Sequence, residues 1–281
     1  MTLSLTPDIP ALQVAGDVAD SVLRSALGAS ERHELFALLD RHFEGVTPVQ
    51  FARDLEEKDW VLRIRREGRL VGFTTLQLYS ATIDGTCAQV LYSGDTIVAP
   101  EAWTSPVLAR GWIALVRALQ QVQPGERWYW LLLSSGFRTY RFLPVFWRDF
   151  WPRHDAEAPA GVRETLNALA TARFGESYDA RAGVVRFAHP QRLRGALADI
   201  PDGRTDDPHV RYFLARNPGW RAGDELVCLT ELSDANLTAA GLRMVRSDAR
   251  RSSLSTSLES AAQAPAQAPP LALTQVPPAA P

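Results

Sequence analysis

The chain has 281 residues, 46% of them hydrophobic and 22% charged, with a formal net charge of −2. That is the balance of an ordinary globular protein, long enough for one large domain or two small ones. A charge so near zero excludes a strong overall field toward nucleic acid or anionic lipid, and no uninterrupted apolar run approaches the length of a membrane span.

The N-terminus lacks the basic-then-apolar pattern of a secretory signal, so the cytoplasm is the expected compartment. Cys87 and Cys228 are far apart in apolar runs and read as buried thiols, not as a disulfide. His33, His42, His154, His189 and His209 never fall at ligand spacing with partners, so no metal is expected. Lys58 is the only lysine, and an arginine-rich chain of this kind fits a coding bias as well as it fits phosphate binding.

Residues 1–29 are weakly patterned; Val18, Val22, Leu23, Ala26 and Leu27 predict one short amphipathic helix ending at Gly28. Ser30 is placed to cap a helix carrying Leu35, Phe36, Leu38, Leu39 and Phe43. Thr47-Pro48-Val49-Gln50 is a capping box with proline at the first helical position, opening a helix through Phe51 and Leu55. Residues 60–65 predict a strand, Glu67-Gly68 a turn, and residues 70–79 the returning strand. Asp84-Gly85 is a second tight turn before a long strand over 87–98. Gly94 inside that strand predicts a bulge or the close approach of another group to the backbone. Ser105-Pro106 starts a helix with Leu108, Trp112, Leu115, Val116 and Leu119 on one face, ended by Pro124-Gly125.

Residues 128–133 read Trp-Tyr-Trp-Leu-Leu-Leu, an apolar run of strand length that implies burial on both faces. Small residues Ser134-Ser135-Gly136 turn the chain. Arg138, Thr139, Tyr140 and Arg141 then gather polar groups at the strand's mouth, a common address for a ligand site. Phe142, Val145, Phe146 and Phe150 follow at helical spacing, with Pro144 expected to kink that helix or mark its first turn. Beyond, residues 162–173 predict a helix ending at Phe174-Gly175, and 183–187 a strand. The alternation of Val210, Tyr212 and Leu214 predicts a strand that turns at Asn217-Pro218-Gly219 to a partner over 225–232. Asn236 is placed to cap a last short helix. From 246 to 281 the chain is rich in serine, then alanine and proline, and is expected to be disordered.

Residues 30–152 thus read helix, helix, three antiparallel strands, helix, strand, helix: an α/β mixed sheet flanked by helices, followed by an α+β C-terminal extension over 153–245. This order, with Asp95-Thr96-Ile97-Val98, then Ala99-Pro100-Glu101, then the helix from Pro106 and the strand over 128–133, resembles the GNAT acyltransferase superfamily. The chain is also similar to a bacterial group of GNAT-like proteins with a degenerate pyrophosphate loop. The resemblance implies that the strands over 87–98 and 128–133 splay apart and take an acyl-pantetheine arm between them. Ser93, Gly94, Thr96 and Val98 would then line the arm. Tyr140 stands where such enzymes often carry the acid that protonates the leaving thiolate.

The family's Arg/Gln-x-x-Gly-x-Gly/Ala loop falls near residues 103–108, where this chain reads Trp-Thr-Ser-Pro-Val-Leu. Pro106 has no N–H to offer a phosphate and Trp103 is bulky. Thr104, Ser105, Arg138, Thr139 and Arg141 stand as substitute donor contacts. The donor is then acyl-CoA or an acyl-carrier protein, used as a co-substrate with no permanently bound cofactor. An aromatic-lined gap favours a medium or long acyl chain over acetyl.

Acyl transfer to an amine needs a base, a polarised thioester carbonyl and a leaving thiolate. Asp95 beside the bulge is the first candidate base and Glu101 the second; the competing reading of Asp95 is a carboxylate bonded to a neighbouring loop. No Gly-x-Ser-x-Gly elbow or cysteine–histidine pattern points to another chemistry. Asp206-Asp207 and Gly223-Asp224-Glu225 would bind a cationic substrate if the second half folds over the acceptor side. The expected function is transfer from a thioester to an amine or hydroxyl of a small acceptor. The alternative is a non-catalytic protein of the same fold that binds a metabolite, an acyl chain or a partner protein. Neutral charge and the lack of aromatic–basic clusters argue against nucleic acid.

Overall fold

The computed structural model describes residue 7 and residues 9–245; the segment 246–281, expected to be disordered, lies outside the described residues. In chain order the strands are β1 (Leu12–Val14), β2 (Asp17–Leu23), β3 (Phe43–Glu44), β4 (Trp60–Arg66), β5 (Arg69–Ile83), β6 (Thr86–Val98), β7 (Arg127–Ser134), β8 (Phe150–Trp151), β9 (Tyr178–Asp179), β10 (Val184–Val185), β11 (Arg192–Leu193) and β12 (Glu225–Glu231). The helices are α1 (Ala29–His42), α2 (Pro48–Glu56), α3 (Val107–Val122), α4 (Phe137–Tyr140), α5 (Phe142–Phe146), α6 (Ala160–Phe174) and α7 (Pro208–Arg216).

One sheet runs in the order β1-β2-β4-β5-β6-β7-β12-β10-β9, with β8 also bonded to β12. Among the described strands only β6 and β7 pair in parallel, because α3 carries the chain across the sheet between them. Hairpins set the other registers. Ala15-Gly16, Glu67-Gly68 and Asp84-Gly85 all have positive φ at both positions, the backbone of two-residue turns that match strand twist. The strands on both sides of residue 152 share this sheet, so the α+β extension completes it rather than standing apart.

Strand β7 is covered on both faces, as its composition demands. Trp128, Trp130 and Leu132 enter the core beneath α3, α4, α5 and α7, whereas Tyr129, Leu131 and Leu133 enter the core beneath α6. Each fully buried large side chain there contributes roughly 1.5–3 kcal/mol relative to exposure. The opposite end of the α6 face holds a separate core, formed by Phe73 and Ile97 of the sheet with Leu35, Leu39, Phe51 and Leu55 of α1 and α2.

Four local expectations are corrected. Residues 12–23 form the β1–β2 hairpin, not a helix, because Ala15-Gly16 reverses the chain and β2 pairs with β4 along its length. Residues 208–216 form helix α7, not a strand: Asp207 caps it by accepting from the His209 N–H at 2.9 Å, and Pro208 takes the first turn. The stretch after Gly136 is two short helices, α4 and α5, with Phe150 already in β8. Cys87 is exposed near the tip of the long β5–β6 hairpin, while Cys228 is buried and its thiol is pushed up to about 12 by that burial. Among the described residues no group of three acidic, histidine or cysteine side chains could hold a metal, and no helix is long and apolar enough to cross a membrane.

Candidate active site

The parallel ladder between β6 and β7 runs from Ala88↔Arg127 to Ser93↔Leu132 and stops there. Both strands continue: β6 reaches Val98 still bonded to β5, and β7 reaches Ser134 still bonded to β12. The parting coincides with a bulge. The β5–β6 register skips between Thr74↔Thr96 and Leu76↔Ser93, so Gly94 and Asp95 oppose Thr75 alone. A bulge bends its strand and increases its twist, which turns β6 away from β7.

The backbone that faces the gap can be assigned. The Ala99 N–H donates to the Val71 carbonyl of β5 at 2.8 Å. The Val98 carbonyl belongs to the same trans peptide and therefore points the other way, toward β7. Alternation along the strand turns the N–H and carbonyl of Thr96 into the gap as well. Glycine is required at position 94 by space. A Cβ there would lie 2.5 Å from Lys58 Cε and 2.8 Å from Thr75 Oγ1. The sequence offered a bulge or a close approach; both are present.

A charged seam lies beside this bulge, between the two separate cores on the α6 side of the sheet. Lys58 is only 4% exposed, and its Nζ donates to the Asp54 carbonyl at 2.8 Å while lying 5.4 Å from the Tyr92 ring centroid. Arg173 of α6 also lies over the Tyr92 ring, 4.8 Å from its centroid, and pairs with Glu57 at 2.6 Å. Burial pushes the Asp95 carboxyl up to about 6, against the pull of the Lys58 ammonium and with a push from Asp54. Burial and then the Asp95 charge push Glu225 up to about 8. Lys58 is held below its ordinary value by burial, opposed chiefly by Asp95. Asp95 and Glu225 are half-buried as whole residues. Glu225 opens β12 with the parity of Val227 and Leu229, which places it on the α6 face.

The remaining sequence candidates are spread around the gap. Ser93 is buried, and its Oγ accepts from Trp130 Nε1 at 2.9 Å. Thr96 Oγ1 shares a hydrogen bond with Thr74 Oγ1 at 2.7 Å and donates to the Gly94 carbonyl at 3.1 Å. The Val98 carbonyl is taken by Trp103 Nε1 at 2.9 Å. Arg138 stacks over that indole, 4.0 Å from its ring centroid, and donates to the Leu197 and Asp199 carbonyls at 3.2 Å each. Trp103 and Arg138 therefore bridge the segments that follow β6 and β7. Arg141 pairs with Asp207 at 2.9 Å, Ser105 Oγ accepts from the Val107 N–H at 3.4 Å, Thr104 is exposed and Thr139 is half-buried. Both arginines offered as phosphate contacts are thus engaged within the protein.

Two expected roles do not fit their positions. Tyr140 has no exposed surface, and its hydroxyl donates to the Pro152 carbonyl at 2.9 Å. Burial raises that phenol further above its ordinary value, the wrong direction for an acid that must release a proton. Glu101 is exposed, 3.8 Å from Arg69 Nη2 at the β4–β5 turn, and is not part of the Asp95 seam. The aromatic lining expected to receive an acyl chain is filled by itself: Trp130 packs on Trp112 and Trp147 at centroid distances of 4.3 and 5.0 Å. A separate cleft of about 630 Å³, lined in part by Glu44, Arg53, His189 and Arg192, includes none of the sequence candidates.

Residues that sequence reasoning undervalued are Lys58, Tyr92, Arg173 and Glu225. Two signals were available: Lys58 is the single lysine of an arginine-rich chain, and Gly223-Asp224-Glu225 puts acids at a strand start.

The parted strands and the crossover helix are what the GNAT resemblance implies. The fold is GNAT-like. No family model matches the chain, and no curated protein matches it. Among solved structures, Saccharomyces cerevisiae N-myristoyltransferase with bound myristoyl-CoA is similar at 13% identity and a TM-score of 0.35, over 46% of this chain and 32% of that one. The present chain thus spans about a third of the yeast enzyme. An acyl-CoA N-acyltransferase from Pseudomonas aeruginosa is similar at 16% identity and a TM-score of 0.32, over 41% of this chain and 78% of that one. A conserved protein of unknown function from Enterococcus faecalis is similar at 11% identity and a TM-score of 0.37, over 78% of this chain and 66% of that one.

Proposed function

We propose that the protein transfers an acyl group from a pantetheine thioester to an amine in the gap between β6 and β7. The observation that carries this reading is the parting of those strands beyond Ser93↔Leu132, beside a bulge that carries Asp95. A pantetheine arm is an extended chain with two amides. It needs backbone groups along a strand edge, which Thr96 and Val98 turn into the gap. The carrier of that arm is CoA or an acyl-carrier protein. The Trp103–Arg138 bridge across the mouth makes displacement of the indole from the Val98 carbonyl the first step of donor entry.

Asp95 acts as base, directly or through a water. A carboxylate brought up to about 6 is ionised at neutral pH yet basic enough to take a proton from an attacking amine. The amine nitrogen forms a bond to the thioester carbon, the carbonyl electrons move to oxygen, and backbone N–H groups on the gap side of β6 bear the oxyanion. Collapse breaks the carbon–sulfur bond. The ammonium proton passes to Asp95, and the thiolate leaves unaided, since an ordinary thiol ionises near pH 8.5. Tyr140 has no part in this scheme.

The test is thiol release from acetyl-, medium-chain and long-chain acyl-CoA, and from acyl-carrier protein, with a panel of small amines. Turnover should rise with pH through about 6, and Asp95→Asn should lower it by about 100-fold or more. No thiol release from any donor, or an Asp95→Asn variant as fast as the parent, overturns the reading.

A further inference from the structure

Arg138 and Arg141 are engaged within the protein, whereas Arg53 and Arg192 keep guanidinium nitrogens open. Both line the cleft of about 630 Å³, together with His189 and one acid, Glu44. That volume lies within the range of small-molecule sites, roughly 300–1,000 Å³. The acids along α2 and at its end are matched to other partners. Glu56 pairs with Arg24 at 2.7 Å and with Arg32 at 2.6 Å, Glu57 pairs with Arg173 at 2.6 Å, and Asp54 accepts from Gln50 Nε2 at 3.2 Å. Arg53 is left with no hydrogen bond or ion pair among the described residues, although Glu57 feels its charge. Arg192 donates its Nε to the Ala222 carbonyl at 3.3 Å, and its two terminal nitrogens make no hydrogen bond among the described residues. Glu44 stands opposite Arg192 in the β3–β11 pair, yet the two form no ion pair.

The walls of the cleft are fixed in advance. Strand β11 is bonded to β3, and the Arg194 N–H donates to the His42 carbonyl at 2.8 Å. Pro190 is pinned between two glycines: a Cβ on Gly45 would lie 2.5 Å from its carbonyl oxygen, and one on Gly223 2.6 Å from its Cβ. A site built before the ligand arrives loses little freedom on binding. The rest of the lining includes Val49, which is 80% exposed, Ala188 and Pro190, an apolar strip beside the charges. Two guanidiniums against one carboxylate leave positive charge in excess. A guanidinium matches phosphate oxygens two at a time, and a phosphate monoester brings a charge of about −1.5 to −2 at pH 7, where a carboxylate brings one. An ammonium ligand would meet two like charges for each opposite one.

We infer that this cleft binds an organic phosphate monoester, its phosphate received by Arg53 and Arg192 beside His189 and its organic body laid against Val49, Ala188 and Pro190. The site stands on the cleft alone and rests on no part of the acyl-transfer reading. Glu44 is the one lining group whose charge opposes the ligand, so it holds the affinity down.

Isothermal titration of the full chain at pH 7 tests this with phenyl phosphate and butyl phosphate, against inorganic phosphate, benzoate and phenol as controls. At least one ester should bind with a Kd below about 1 mM, and about fivefold or more tightly than inorganic phosphate or benzoate. Phenol should give no binding, and added salt should weaken the ester. Arg53→Gln and Arg192→Gln should each lower the ester's affinity about fivefold or more, whereas Glu44→Gln should raise it about twofold or more. All three positions are exposed, so the variants should melt with the parent. No binding of either ester up to about 10 mM overturns the inference. So does equal affinity for benzoate or inorganic phosphate, or an arginine variant that binds as tightly as the parent. A Glu44→Gln variant that binds more weakly contradicts the charge argument and overturns it as well.

Discussion

Replacing Glu225 with glutamine removes a carboxyl that the folded chain keeps protonated up to about pH 8, whereas the unfolded chain releases that proton near 4.5. Between those values the folded state binds more protons than the unfolded state, so this group makes stability fall as pH rises. An isolated, fully enclosed carboxyl moved from 4.5 to about 8 would cost up to roughly 5 kcal/mol once ionised. Glu225 is only half-buried as a residue and its charge is coupled to that of Asp95, which reduces the realised effect to about 2 kcal/mol. Urea unfolding of wild type and Glu225→Gln from pH 5 to pH 9 measures it. His42 and His209, both held below the ordinary histidine value by burial, titrate alike in the two proteins and cancel in the difference. Wild type should lose about 2 kcal/mol relative to the variant across that range. Parallel curves would show that Glu225 is solvated like any surface acid. A wild type that gains on the variant with rising pH would mean a cation already compensates Glu225.

Gly94→Ala should destabilise by about 1–3 kcal/mol in urea melts, because the new methyl meets Lys58 Cε and Thr75 Oγ1. Adding Lys58→Ala should return part of that loss, and strictly additive costs would contradict the packing argument. Tyr140→Phe should cost about 1–2 kcal/mol through the hydrogen bond to Pro152 and leave the rate of thiol release unchanged; a large rate loss at equal stability would restore it as an acid. Trp103→Ala should cost about 1 kcal/mol and lower the KM for the donor, by freeing the Val98 carbonyl; a raised KM would mean that the indole helps to bind the donor.

Much of the framework was legible because it rests on local rules. The alternation before and after Glu67-Gly68 and Asp84-Gly85 fixed three antiparallel strands, and the apolar run over 128–133 marked a strand buried on both faces. Gly94 marked the bulge because a glycine within a strand has few other uses. Where two local signals competed, the pattern misled. Val210, Tyr212 and Leu214 alternate, but Asp207-Pro208 is a helix start and prevails. Val18 to Leu27 fits a helical face as well as a strand, and only pairing with β4 decides between them. The site was half legible. Asp95 follows from the bulge, but Lys58, Arg173 and Glu225 join it from α2's end, α6 and β12, a juxtaposition no spacing rule contains. Tyr140 misled for the same reason: a polar residue beyond a strand end looks available until the aromatic side chains packed on it are known, here Phe150, Tyr212 and Phe213.

Amide hydrogen exchange, with and without a saturating non-hydrolysable acyl-pantetheine thioether, asks the central question most directly. The account predicts slowed exchange concentrated at residues 94–98 of β6 and 133–136 after the end of the parallel ladder, with the outer strands β1 and β2 unchanged. Protection confined to other parts of the chain, or no change at a ligand concentration that saturates binding, would contradict a thioester seated between β6 and β7.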